Sequence, residues 1–255
     1  MSQKSPQRVL ITGAASGIGR AASLRFAQDG SRLALLDIRS DELNETSDQV
    51  RNLGGEVMQF AVDTSQEPEV SAAFAAVKDN FGGLDSVVAA AGISMTLTGD
   101  ARVDELDKEV WDRILATNLT GTFLTCKYAV RTFIPAGRGS IVVIGSPTGL
   151  YGFAYGEHAY SASKAGCHGL ARVMAGELGP LGIRVNIVVP GFINTRMNAH
   201  IVADRALMDE AEQMIPLRRI GEPAEVAGLI AWLCSDDASY ATGGYYAADG
   251  GQMCI

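Results

Sequence analysis

No apolar run in this chain reaches the roughly 18 residues that a membrane-spanning helix needs, although 47% of its 255 residues are hydrophobic. The opening stretch, Met1 to Arg8, passes straight into an apolar strand pattern without the h-region of a secretory signal. Four cysteines, Cys126, Cys167, Cys234 and Cys254, stand far apart with no Cys-x-x-Cys pair. That spacing excludes a recognisable zinc site, redox dithiol or disulfide framework. His158, His168 and His200 do not cluster and form no His-Glu-x-x-His run, so no metal site is expected. The P-loop pattern Gly-x-x-x-x-Gly-Lys-Ser/Thr is missing as well, which argues against a nucleotide triphosphatase. Basic residues are outnumbered, 21 Lys and Arg against 29 Asp and Glu, for a net charge of −8. A footprint for nucleic acid or an anionic membrane is therefore not expected. These absences leave a reduced, cytoplasmic protein as the expectation.

What the chain has in excess is glycine, 29 residues or about 11%, against a usual ~7%. Proline stays at 8, so the excess implies tight turns and close backbone approaches, not disorder. Strand and helix patterns alternate. Strands are expected over Arg8–Thr12, Arg32–Asp37, Glu56–Val62, Leu84–Ala89, Ser140–Ile144, Arg184–Val189 and Gly244–Ala248. Helices are expected over Ile18–Gln28, Asp41–Leu53, Glu67–Asn80, Asp107–Phe133 as one long helix, Ala159–Leu178 and Pro223–Leu233. Phe192–Leu217 has no strand pattern and reads as a partly helical, mobile insertion. Near-continuous apolar strands alternating with helices predict an α/β fold, a parallel sheet covered on both faces. With no linker or repeat, residues 1–255 read as one domain.

Gly13, Gly17 and Gly19 fall in Thr12-Gly13-Ala14-Ala15-Ser16-Gly17-Ile18-Gly19, between the first strand and the first helix. Such a turn lets backbone approach a pyrophosphate, whose charge the opening N–H groups of the helix then face. Asp37 ends the second strand, where a carboxylate can accept from an adenine ribose and repel a 2′-phosphate. Arg39 is the complication, because an arginine there could pair with a 2′-phosphate.

Tyr160 and Lys164 lie four apart, on one face of a helix. A neighbouring ammonium favours a phenolate, which suits a tyrosine to general acid/base work. Ser146 follows the fifth strand, at the carboxyl edge where open α/β sheets bind ligands, and its hydroxyl could donate to a substrate carbonyl. Asn118 interrupts a long helical pattern with poor helix formers around it.

Together with Asp63, Ala91-Gly92, Asn186, Pro190-Gly191 and Asp249-Gly250-Gly251, these residues make the chain resemble the short-chain dehydrogenase/reductases over almost its whole length. The resemblance implies a Rossmann-like, doubly wound, mainly parallel sheet of seven strands and NAD(P)-dependent alcohol/carbonyl interconversion. It implies that Tyr160 is the proton donor and acceptor, and that Lys164 holds the nicotinamide ribose. Ser146 would polarise the substrate oxygen and Asn118 anchor a water relay to Lys164. By the same resemblance Gly13, Ser16, Gly17, Ile18 and Gly19 form the phosphate turn, and Asp63 and Thr64 contact adenine. Ala91 and Gly92 admit the adenine ribose, while Pro190, Gly191, Ile193 and Thr195 touch nicotinamide. NADP-preferring members often carry a basic residue where Ser16 stands, so Ser16 and Asp37 together imply NAD. One departure is plain: the family usually reads Asn-Asn-Ala-Gly after strand four, and this chain reads Ala89-Ala90-Ala91-Gly92. The substrate implied is a small alcohol or ketone, and the assembly a homotetramer, with a dimer second. Apolar residues outside one narrow stripe, Phe123, Leu124, Tyr128, Leu170 and Val173, agree with burial against another subunit. If Met95, Phe153, Tyr155, Phe192, Met197, Met208 and Met214 converge, the pocket is apolar and suits a lipophilic or cyclic substrate. Two alternatives stay open, an NADPH-dependent 3-oxoacyl-thioester reductase and a non-catalytic dinucleotide sensor.

Overall fold

Val9, Leu10 and Ile11 alternate in direction along one strand yet all are buried, so that strand must be covered on both faces. In the computed structural model, which describes residues 6–96, 98–152 and 157–254, this strand is β1 (Arg8–Thr12), an interior strand of a seven-stranded sheet. The others are β2 (Arg32–Asp37), β3 (Glu56–Ala61), β4 (Ser86–Ala89), β5 (Gly139–Ile144), β6 (Ile183–Pro190) and β7 (Tyr245–Ala248). Their order is β3-β2-β1-β4-β5-β6-β7, and every neighbouring pair is parallel.

Nine α-helices lie among the described residues: α1 (Gly17–Gln28), α2 (Ser40–Asn52), α3 (Glu67–Phe81), α4 (Lys108–Leu115), α5 (Gly121–Phe133), α6 (His158–Leu178), α7 (Ala199–Ala203), α8 (Arg205–Gln213) and α9 (Pro223–Cys234). Val9, Ile11, Leu33 and Leu35 meet Phe26 of α1, Leu43 of α2 and Ile230 of α9 on one face. Leu10, Val87, Ile141 and Val185 meet Val77 of α3, Leu124 of α5 and Ala171 of α6 on the other. The chain reverses direction across the sheet between β1 and β4. That switch point opens a crevice at the carboxyl ends of the strands.

Two sequence expectations need correction. The single helix expected over Asp107–Phe133 is continuous from 108 to 133 but not α throughout: Ala116–Thr120 forms a π-helical turn between α4 and α5, with Asn118 fully buried in it. There the Asn118 carbonyl accepts the Thr122 hydroxyl at 2.6 Å and the Cys167 thiol at 3.2 Å. Such turns favour functional positions. The fourth strand starts at Ser86 and not at Leu84, because Arg8 seizes the Asp85 carboxylate with its backbone N–H at 3.0 Å and its guanidinium at 2.9 Å. Phe192–Leu217 contains α7 and α8, and Ile193 forms one isolated parallel bridge to Gly221. No helix among the described residues is long and apolar enough to cross a membrane.

Candidate active site

The link from β1 to α1 is confined from both sides. Gly13 and Gly17 hold φ of +68° and +55°, values that side chains resist. A Cβ on Gly13 would lie 2.7 Å from the Ala90 carbonyl, and one on Gly19 would overlap the Gly13 carbonyl oxygen. Ser16 is extended at the N-cap and gives α1 no side-chain cap, and no acidic residue stands in the first turn. The first N–H groups of α1 thus remain available to an anion, with the helix dipole behind them. Ile18 packs against the core from this turn. Thr195 roofs it, its methyl 3.2 Å from where a Gly17 Cβ would stand. The segment leading to Thr195 is fixed by the Gly191 N–H donating to Ala248 at 3.1 Å, beyond Pro190 at the end of β6, and by buried Ile193.

Asp37 is buried beside this turn. Its Oδ2 accepts the Ala15 N–H at 3.0 Å, and its Oδ1 accepts the Arg39 backbone N–H at 3.0 Å. Arg39 is drawn in turn to Asp37, to Glu42 at 2.5 Å and to the Ser16 hydroxyl at 2.7 Å. Asp63 caps a local turn by accepting the N–H and O–H of Ser65 at 2.9 and 2.8 Å. Thr64 is buried against α5, where a Cβ on Gly121 would come within 2.6 Å of its hydroxyl. At the Ala-Ala departure the end of β4 is braced by the neighbouring strand. Thr12 Oγ1 accepts the N–H groups of Ala90 and Ala91 at 3.1 and 3.2 Å, so the backbone there is held from β1.

α6 carries Tyr160 and Lys164. Lys164 is only 5% exposed, and its Nζ donates to the Ile144 carbonyl at the end of β5 at 2.9 Å. The same Nζ stands 5.6 Å from the Tyr160 ring centroid. A Cβ on Gly92 would lie 3.4 Å from Asn118 Oδ1 and 3.5 Å from Lys164 Nζ, so all three groups share one spot. The Asn118 amide clasps the loop beyond Gly92, accepting the Ile93 N–H at 2.8 Å and donating to the Ile93 carbonyl at 2.9 Å. Its Nδ2 also donates to Ser163 at 3.1 Å.

Ser146 stands two residues past Ile144, its Oγ 3.0 Å from Thr148 Oγ1 and accepting the Thr148 N–H at 3.3 Å. Its own N–H donates to His168 Nε2 at 3.4 Å. His168 is 2% exposed and lies between the backbones of Gly145 and Gly149. A Cβ on the first would overlap the ring, and one on the second would sit 2.9 Å from Cε1. Burial, then the positive charges of Lys164 and Arg172, push this imidazole down to about 4, leaving Nε2 an acceptor at neutral pH. Tyr245 packs edge-on against it at 5.2 Å.

Asn118, Lys164 and Gly92 are thus brought together, with Ser146 and Tyr160 attached to the same strand end and helix. Thr12 and His168 are supporting residues that sequence reasoning missed. For His168 a signal existed, since it continues the face of Tyr160 and Lys164 at the same spacing of four. His158 is exposed. Of the residues named for an apolar pocket, Phe153 and Tyr155 lie outside the described residues and Met197 is exposed. Phe192 lines a cavity of about 500 Å³ with Ile193, Leu217, Val226 and Ala248. A second, of about 520 Å³, runs from Gly17 and Thr195 between α1 and α7. Neither is lined by Ser146 or Tyr160.

Residues 13–253 match the family described as Enoyl-(Acyl carrier protein) reductase. The chain is 38% identical over 244 residues to 3-oxoacyl-(acyl-carrier-protein) reductase FabG of Thermotoga maritima, covering 96% of each. It is 36% identical over 256 residues to cis-4-hydroxycyclohexanecarboxylate dehydrogenase of Sinomonas cyclohexanicum, covering 100% of each. A solved short-chain type dehydrogenase/reductase from Mycobacterium marinum superposes with a TM-score of 0.91 at 35% identity, over 98% of this chain and 96% of that one.

Proposed function

The chain belongs to the short-chain dehydrogenase/reductases, oxidoreductases that use nicotinamide cofactors, and from that premise we propose that it interconverts a secondary alcohol and a ketone with NAD(H). The observation that carries this reading is the buried Lys164 ammonium, anchored to Ile144 and standing beside Tyr160, Asn118 and Gly92 at the mouth of the glycine turn. The turn fits a dinucleotide by its steric demands. It admits no Cβ at Gly13 or Gly19, it presents uncapped helix N–H groups, and it has the Asp37 carboxylate alongside. Gly13, Ser16, Gly17, Ile18 and Gly19 would cradle the pyrophosphate and Asp37 the adenine ribose. Asp63, Thr64, Ala91 and Gly92 would line the adenosine end. Tyr160 and Lys164 would hold the nicotinamide ribose, with Pro190, Gly191, Ile193 and Thr195 against the nicotinamide.

When bound, the dinucleotide supplies the hydride chemistry. The chain's own residues orient the substrate and move the proton. In the oxidative direction Tyr160 Oη takes the alcohol proton; in the reductive direction it returns that proton to the carbonyl oxygen. Ser146 Oγ donates to the same substrate oxygen, and the Lys164 ammonium stabilises the phenolate. Asn118 keeps the loop after β4 in place beside Lys164 and carries the proposed water relay to it.

NAD is favoured because Asp37 would face a 2′-phosphate with a like charge, while Arg39 is engaged by Asp37 and Glu42. A lipophilic or cyclic substrate accords with the cyclohexane-ring relative. We read residues 192–217 as the substrate loop of one domain spanning 1–255, and the cytoplasm as its compartment. A homotetramer, with a dimer second, accords with Phe123 and Val173 standing 45% and 60% exposed on α5 and α6. Beside them Gly169 and Gly176 leave open space for another helix. One observation favours a second reading, NADPH-dependent reduction of 3-oxoacyl thioesters: the Arg39 guanidinium reaches Ser16 in the glycine turn at 2.7 Å.

The deciding experiment is a panel of cyclic and acyclic ketones, secondary alcohols and 3-oxoacyl thioesters, followed by NADH and NADPH absorbance for the wild type and Tyr160→Phe. Turnover of ring alcohols with NAD is expected, and Tyr160→Phe should lower kcat by about 10²–10⁴ with NAD binding retained. Full turnover by that variant would exclude the assigned chemistry.

A further inference from the structure

α6 begins without a cap of its own. Glu157 occupies the N-cap position and makes no side-chain cap hydrogen bond. The first backbone bond of the helix runs from the Ser161 N–H to the Glu157 carbonyl at 2.9 Å. The N–H groups of the opening turn, Tyr160 among them, must therefore find acceptors elsewhere or fray. They find one far away in sequence. Asp100, 2% exposed, accepts the Ala159 N–H on Oδ1 at 3.0 Å and the Tyr160 N–H on Oδ2 at 2.9 Å, across 60 residues in the latter case. A buried carboxylate is costly unless donors and a favourable field compensate it. Here two N–H groups and the N-terminal end of a 21-residue helix do so.

Asp100 is itself held. Its backbone N–H donates to Met95 at 2.9 Å. In the same segment Thr96 donates to Glu157 Oε1 at 3.0 Å, and Ile93 is clasped through both backbone groups by Asn118. The segment after β4 is thus fastened to the π-helical turn at one end and to the start of α6 at the other. Lys164, one turn further along α6, has its own anchor on Ile144. Tyr160 and Lys164 therefore take their positions from different parts of the molecule.

We propose that Asp100 is a positioning residue that sets Tyr160 against Lys164 through the backbone of the first turn of α6. The proposal rests on Tyr160 being the general acid/base. Removing the Asp100 carboxylate frees the first turn while leaving the Lys164 anchor in place. The consequence is a loss in kcat with cofactor affinity preserved, because a displacement of about 1 Å at a proton-transfer group is enough to cost on the order of 100-fold.

The test is a double-mutant cycle with Asp100→Ala and Asp100→Asn, each in the wild-type and Tyr160→Phe backgrounds. kcat, KM, the NADH dissociation constant and amide hydrogen exchange at residues 159 and 160 are measured. Asp100→Ala should lower kcat by about 10- to 100-fold, with NADH affinity within about twofold, and accelerate exchange at both amides. Asp100→Asn should recover part of kcat, because one of its two oxygen acceptors survives, and it serves in place of the alanine variant if that does not fold. In the Tyr160→Phe background the residual turnover should be insensitive to residue 100. An unchanged kcat alongside a lower Tm, or an equal loss in the Tyr160→Phe background, would make Asp100 a plain helix cap and overturn the proposal. A fully active Tyr160→Phe single variant would instead overturn the general acid/base reading and the positioning role with it.

Discussion

Acidification from pH 7 to pH 4 is expected to destabilise the fold through one identifiable side chain, His168. Its Nε2 must stay unprotonated to accept the Ser146 N–H at 3.4 Å. A proton there would create a cation with almost no access to water, beside Lys164 and Arg172. These causes, burial first, hold the imidazole at about 4, against 6.5 for a free histidine. In the unfolded chain the same ring takes up its proton near 6.5. Between the two values the unfolded state binds more protons, so stability must fall as the pH falls. The contribution is complete above about pH 6.5, declines through the window and is gone below about 4. At 1.36 kcal/mol per pH unit the loss amounts to about 3 kcal/mol.

Carboxylates titrate in the same range, so the measurement has to be a difference. Denaturant unfolding of the wild type and of His168→Gln at pH 7, 6, 5 and 4 supplies it, because glutamine keeps an acceptor and never titrates. The stability of the wild type relative to the variant should drop by about 3 kcal/mol over that series, with kcat falling in parallel as the Ser146 backbone loses its acceptor. A difference flat to within about 0.5 kcal/mol would mean that His168 does not carry the proton linkage assigned to it.

Gly19→Ala would drive a methyl group into the Gly13 carbonyl. It should weaken NADH binding at least about tenfold and lower stability by about 1–3 kcal/mol, as read by fluorescence titration and thermal melts. Wild-type affinity in that variant would contradict the packing described for the turn. Asp37→Ala removes the carboxylate beside Ser16 and should raise the NADP/NAD ratio of kcat/KM at least about tenfold. An unchanged ratio would leave Asp37 only its bonds to the Ala15 N–H and to Arg39.

How much of this is legible in the sequence follows the range of the interactions. β1 and the glycine turn are written locally, as an apolar run followed by glycines where the backbone takes a geometry that side chains resist. The π-helical turn is half legible: poor helix formers around Asn118 mark the place, but the distant residue that Asn118 clasps, Ile93, is not readable from the local pattern. The replacement of Asn-Asn by Ala89-Ala90 looks like a missing brace until Thr12, on the adjacent strand, is seen accepting from Ala90 and Ala91. Asp100 gives no signal at all, because nothing in residues 92–103 shows that its partners are the amides at 159 and 160.

Each side chain of the constellation is tied to a backbone group of a different element. Lys164 binds the carbonyl of Ile144, Asn118 binds both backbone groups of Ile93, His168 takes the N–H of Ser146, and Asp100 takes the N–H of Tyr160. Ties of this kind lock one element against another, so under the proposed function they would fix the proton-transfer geometry before substrate arrives, as electrostatic preorganisation requires. The His168 tie also requires backbone and side chain to come closer than a Cβ permits, because Gly145 and Gly149 enclose the imidazole. Part of the glycine excess is therefore a requirement of the candidate site, where two glycines outside the turn before α1 make room for the side chain that holds the Ser146 backbone.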